Sequence, residues 1–247
     1  MRKLWALPFV VLSVAALPSR VEAQPFPFDD RFDTYVTGST IAGQGGWQTW
    51  DNNPAADTIV TAAQSLTPPN SLLIAGVGAN QADIVHTFTG VDTGTWHAKV
   101  MTYVPSTQTG TLMFILLNTY VSGAGADNWS AQVALCRVAP CGSIPGGAPI
   151  VPGMVTNVGG SGVIGGGTTP LILDAWVNLR VTINFAANQY QVFYNNVLFD
   201  TRTWFVAPGV NRLQAMDLYS FDSSQSYMDN TWLDTTVPVE AMSFTVE

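Results

Sequence analysis

Apolar and polar residues alternate along much of this chain. Residues 176–185 show the pattern most plainly: Val177, Leu179, Val181, Ile183 and Phe185 fall on one face, and Asn178, Arg180, Thr182 and Asn184 on the other. A period of two marks an antiparallel strand with one face buried and one solvated. Residues 189–194 and 197–201 flank Asn195-Asn196. Asn tolerates the left-handed backbone of a two-residue turn, so a hairpin is expected there. Further strands are expected at 28–33, 57–62, 71–75, 83–88, 95–104, 111–118, 129–136, 169–173, 212–220 and 226–234. The run 112–117, Leu-Met-Phe-Ile-Leu-Leu, is apolar throughout and reads as a buried strand. No stretch carries the 3.6-residue period and caps of an amphipathic helix, and no repeat has propeller or solenoid length. Short strands separated by Gly, Pro and Asn turns describe an all-β, two-sheet antiparallel β-sandwich.

The first residues show a different pattern. Arg2 and Lys3 precede an apolar run at 4–17, followed by Pro18, Ser19, Arg20 and Val21-Glu22-Ala23. A basic start, an apolar middle and a small-residue cleavage site compose an export signal at 1–23, with cleavage expected after Ala23. The apolar run falls short of the about 20 residues that a membrane-spanning helix needs. The mature chain is then about 220 residues, a length that suits one large all-β domain at 24–235. Within it, 142–168 is a Gly- and Pro-rich insertion in which 151–158 offers a further strand. The tail 236–247 alternates after Pro238, as an edge strand or the start of a linker would.

Charge narrows the partners. Beyond the signal the only bases are Arg31, Lys99, Arg137, Arg180, Arg202 and Arg212, scattered along an acidic chain. Nucleic-acid binding needs a clustered basic footprint, so that partner is excluded, as is insertion into a membrane once the signal is cleaved. The chain reads as a secreted monomer. Cys136 and Cys141 are its only cysteines. In an exported protein two cysteines this close are expected to form a disulfide, which staples a small ring. A metal or redox role lacks a nearby His or a third Cys.

Candidate chemistry gathers at 118–130, Asn-Thr-Tyr-Val-Ser-Gly-Ala-Gly-Ala-Asp-Asn-Trp-Ser, directly after the apolar run. Loops held by a rigid sheet are where β-proteins place binding groups. Asn118, Tyr120, Asp127 and Trp129 lie here, and Trp47 and Trp50 stand beside a second Gly-rich turn. Indole faces beside Asn and Asp suit a sugar, which has apolar C–H faces and many hydroxyls. These six residues form the candidate ligand-binding set, with a polysaccharide or cell-surface glycan as the expected partner. Trp47 and Trp129 serve equally well as core.

The order and spacing of several segments resemble a bacterial concanavalin A-like, laminin-G-like jelly-roll domain of secreted proteins. They are residues 28–33 (Phe-Asp-Asp-Arg-Phe-Asp), 43–50 (Gly-Gln-Gly-Gly-Trp-Gln-Thr-Trp), 96–106, 114–120 with 128–130, 176–185 and 227–230. This fold hosts lectins, carbohydrate-binding modules, adhesins and glycoside hydrolases, so it does not decide function. The resemblance also implies a structural calcium between the first and last strands, with Asp29, Asp30 and Asp229 as ligands; no other cofactor is implied. The retaining glycosidases of the fold use Glu-x-Asp-x-x-Glu, which is absent, and Glu240 and Glu247 are the only glutamates after the signal. His86 and His97 are the only histidines, and there is no Gly-x-Ser-x-Gly elbow. No catalytic residue is therefore assigned, and non-catalytic glycan binding is the expectation. The alternatives are a hydrolase or lyase, which would show a concave cleft with two convergent carboxylates or a His beside a Tyr or Arg, and a structural or adhesive surface protein.

Overall fold

The computed structural model describes residues 26–236 apart from 77, 124 and 126. The expected export signal and nearly all of the tail lie outside the described residues. In chain order the strands are β1 (Phe28–Asp30), β2 (Trp47–Thr49), β3 (Val60–Thr61), β4 (Ser71–Ile74), β5 (Asp83–Thr87), β6 (Thr95–Tyr103), β7 (Thr111–Thr119) and β8 (Asn128–Cys136). Next come β9 (Met154–Asn157), β10 (Gly159–Gly160), β11 (Val163–Ile164), β12 (Thr168–Pro170), β13 (Trp176–Asn184), β14 (Gln189–Tyr194), β15 (Val197–Thr203), β16 (Ala215–Phe221) and β17 (Ser226–Asp234).

Two antiparallel sheets result. One runs β15-β14-β13-β6-β17-β4-β3, with β1 added alongside β17; the other runs β12-β9-β8-β7-β16-β5-β2. The alternation at 176–185 buries Val177, Leu179, Val181, Ile183 and Phe185 as expected. The Asn195-Asn196 turn has both residues at positive φ, 49° and 62°, the backbone a right-twisted two-residue hairpin needs. Residues 142–168 carry β9, which extends the second sheet, and the small hairpin β10–β11. Strand β2 was not expected: it is three residues long and sits among glycines and polar residues.

The core lies between the sheets. Leu112, Phe114 and Leu116 of β7 meet Val100, Leu179 and Met228 from the facing layer. A fully buried side chain of this size contributes roughly 1.5–3 kcal/mol. The other face of the second sheet is also apolar. Met113, Ile115 and Leu117 form a separate cluster there with Val85, Ala134 and Ala215, and Trp50 and Trp129 pack over it. This explains why 112–117 lacks alternation: β7 is covered on both faces. The Cys136–Cys141 disulfide forms, with Cα atoms 5.7 Å apart. Among the described residues no helix is long and apolar enough to cross a membrane.

Candidate functional site

The outer face of the second sheet carries a cleft of about 600 Å³. Its floor is made by Ile115 of β7, Gln132 of β8, Asp217 and Tyr219 of β16, and Asp83 of β5. Trp50, Asp127 and Trp129 form one wall; the segments at 144–147 and 160–162 form the other.

A break in the β7–β8 ladder positions Trp129. Leu116 pairs with Ala131 but Leu117 pairs with Trp129, so Ser130 is the extra residue of a bulge. A bulge shifts the in/out parity of a strand. Trp129, two residues from the inward-facing Ala131, is thereby turned to the outer face. Trp50 reaches the same place from the turn after β2, where Asp51 and Asn52 adopt φ of 51° and 56°. The two indoles stack with centroids 6.0 Å apart and planes 13° apart. Both remain half-buried, open to the cleft.

Three of the expected ligand-binding residues are enclosed instead. Trp47 is 1% exposed; it belongs to the core, and its Nε1 donates to Asp30 Oδ2 at 2.9 Å. Asn118 is fully buried. Its amide donates to Asn128 Oδ1 (2.7 Å) and Ser130 Oγ (2.8 Å), and its Oδ1 accepts from Val210 N–H (3.2 Å) and Thr119 Oγ1 (3.0 Å). No capacity is left for a ligand. Tyr120 is 4% exposed: its ring packs on Trp50 at 4.9 Å and its hydroxyl accepts from Asp51 N–H at 3.2 Å. These three hold the wall in place. Asp127 lines the cleft while its Oδ1 accepts from Val121 N–H at 3.0 Å, closing the loop above it.

The floor contains a pair of carboxyl groups that the sequence did not suggest. In the ladder Asp83 faces Tyr219 and Asp217 faces Val85, so the two aspartates are diagonal neighbours on one sheet face. Their side chains hydrogen-bond to each other. The Oδ1 atoms of both have no partner among protein groups. Burial pushes the Asp83 carboxyl up to about 7, with nearby Asp51 adding to the rise. Asp217, 3% exposed, is pushed well above the usual carboxylate range by burial and by the charge of Asp83. Two carboxyls in contact and out of water cannot both ionise readily; Asp217 holds the shared proton and donates to Asp83. Around them, the Tyr219 hydroxyl donates to Gln81 Oε1 at 2.6 Å and Gln132 Nε2 donates to the Gly159 carbonyl at 3.1 Å. One sequence signal existed: an Asp inside the strand Ala215-Met-Asp-Leu, where Asp is disfavoured unless it has work to do.

The histidines and the expected calcium ligands lie elsewhere. His86 is buried, bonded through Nε2 to the Gly45 carbonyl (3.1 Å), and burial lowers it to about 4. His97 Nδ1 meets Thr182 Oγ1 at 2.9 Å. Asp30 accepts from Phe32 N–H (2.9 Å), Tyr35 Oη (2.6 Å) and Trp47 Nε1. Asp229 accepts from Leu66 N–H (2.8 Å), Thr67 N–H (3.2 Å) and Asn230 N–H (2.7 Å), and Asp29 pairs with Arg31 at 3.0 Å. Each of the three carboxylates thus has protein partners of its own. Among the described residues no group of three or more His, Cys, Asp or Glu side chains is gathered as metal ligands would be.

No protein-family model matches the chain. No curated protein matches it either. Solved structures do share its architecture. The globular domain of T. cruzi calreticulin matches with a TM-score of 0.54 at 9% identity, over 85% of this chain and 88% of that one. A sialidase matches with a TM-score of 0.53 at 10% identity, over 85% of this chain but only 18% of that one. At such identities the likeness is one of fold: the chain is a concanavalin A-like jelly-roll sandwich.

Proposed function

We propose that the cleft on the outer face of the second sheet binds a carbohydrate chain. The observation that carries this is the Trp50–Trp129 stack, held open to a cleft whose floor is polar. Flat indoles take the C–H faces of a sugar ring, while carboxyl and amide groups at their feet exchange hydrogen bonds with its hydroxyls. Asp127 and Gln132, which line the cleft, support this reading. The glycan is read as a polysaccharide or cell-surface glycan outside the cell, met by an exported, monomeric chain; the Cys136–Cys141 disulfide agrees with an oxidising compartment.

The test is binding to a panel of insoluble and soluble polysaccharides by pull-down and titration calorimetry. Trp50→Ala and Trp129→Ala should each weaken binding about tenfold, or ~1.4 kcal/mol. Trp47→Phe, which alters the core alone, should leave affinity unchanged. Equal affinity in wild type and both alanine variants would refute the assignment.

A further inference from the structure

A binding cleft has no need of the Asp83–Asp217 pair. Sugar hydroxyls are held well by ordinary solvated carboxylates or amides, whereas this pair couples a buried Asp217 to a half-buried Asp83, and each carboxyl carries an Oδ1 without a protein partner. Asp217 is 97% enclosed, yet it lines the cleft with its Oδ1 unpartnered. A buried polar atom without a protein partner, on a residue that lines a cavity, calls for a functional explanation.

Spacing decides which reaction the pair suits. Retaining glycosidases hold their two carboxyls about 5–5.5 Å apart, and inverting ones about 6.5–9.5 Å, because an anomeric carbon or a water must fit between them. Asp83 and Asp217 are diagonal neighbours on one sheet face with carboxyls close enough to share a hydrogen bond, which leaves room for neither. A contacting acid–carboxylate pair instead serves one water on one side of both groups, aimed at a carbonyl carbon. Nucleophilic serine chemistry has no base here: neither histidine lines the cleft, since His86 is held by Gly45 and His97 by Thr182.

We infer that this cleft hydrolyses an acyl ester carried by the bound glycan, with Asp83 and Asp217 as the acid–base pair. The inference rests on the carbohydrate reading of the same cleft. Asp83, ionised, takes a proton from water as the water oxygen bonds to the acyl carbon. As Asp83 becomes protonated, the Asp217 proton turns from Asp83 to the carbonyl oxygen, which takes up the displaced electron pair. When that pair returns, the bond from the acyl carbon to the ester oxygen breaks. The leaving oxygen takes a proton from the pair. Ester and water become carboxylic acid and alcohol, and the pair again holds one proton.

The experiment uses the full chain with O-acetylated xylan, O-acetylated glucomannan and methyl-esterified pectin. Acid or methanol release is measured beside binding to the same polymers after de-esterification. The expected result is release by wild type and a loss of at least 100-fold in both Asp83→Asn and Asp217→Asn, with affinity for the de-esterified polymer changed less than threefold. Circular dichroism checks folding, and either variant alone suffices if the other does not fold. Binding without release from any of the three overturns the esterase inference and leaves the carbohydrate reading standing. Failure to bind any polymer removes the carbohydrate reading and this inference with it. Reducing-sugar release or casein cleavage that disappears in the two variants would also overturn the inference, because it moves the pair's chemistry to a glycosidic or peptide bond.

Discussion

Replacing Asp83 with asparagine removes one titrating group from the cleft floor yet keeps an oxygen to accept the Asp217 proton. Burial raises Asp83 from 3.8 to about 7, helped by the charge of Asp51 and opposed by the hydrogen bond from Asp217. The folded protein therefore holds a proton that the unfolded chain releases near pH 4. A carboxyl raised on folding contributes most below its unfolded value, and that contribution is lost as pH climbs toward the folded one. The interval from 3.8 to about 7, at ~1.4 kcal/mol per pH unit, amounts to about 4 kcal/mol lost from wild type between pH 4 and 7. The asparagine variant lacks this loss. Its stability relative to wild type should rise with pH, from parity or a small deficit at pH 4 to a gain of about 2–4 kcal/mol at pH 8. The smaller figure allows for relaxation around the pair. Guanidinium unfolding of both proteins at pH 4, 5, 6, 7 and 8 measures it. Parallel stability–pH curves would show that Asp83 titrates normally and would refute the shared-proton account of the floor.

Three other outcomes are expected from the packing. Asn118→Ala removes both amide donors to Asn128 and Ser130 and leaves Val210 N–H without its acceptor, so it should cost about 3 kcal/mol in chemical unfolding and loosen the Trp129 wall. Gly160→Ala would set a methyl group 2.4 Å from the Trp129 carbonyl and 2.5 Å from that of Ser130, forcing β10 off β8. Glycan affinity should drop with it, as calorimetry would show. The double change Cys136→Ser with Cys141→Ser opens a ring with four residues between its cysteines and should lower stability by about 2 kcal/mol, read as a shifted denaturation midpoint with an unchanged slope.

How far the sequence could be read depended on the range of the interaction. Alternation is local, so β13 and the Asn195-Asn196 hairpin were legible residue by residue. Strand β2 was not, because three residues carry too little pattern. The aromatic wall was half legible: Trp50, Asp127 and Trp129 were named. Asn118 and Tyr120 looked like loop groups because they come after an apolar strand, but the ladder runs on to Thr119 and the polar atoms of both residues bond inside the wall. Nothing local marks the Ser130 bulge that re-aims Trp129. The Asp83–Asp217 contact was the least legible feature. It exists only because β5 and β16 pair in one register, and a one-residue slip would put the two aspartates on opposite faces.

The pairing of β1 with β17 has a practical consequence. Phe28 lies opposite Leu233, so the ends of the described fold are one strand spacing apart, roughly 5 Å. A short linker between them, with new termini cut at the exposed Asn195-Asn196 turn, should give a circular permutant that keeps the rest of both sheets. Both ends also leave from the sheet opposite the cleft. Attached by either end to a bead, a sensor chip or a repeating array, the domain would turn its indole wall outward, toward whatever polymer passes.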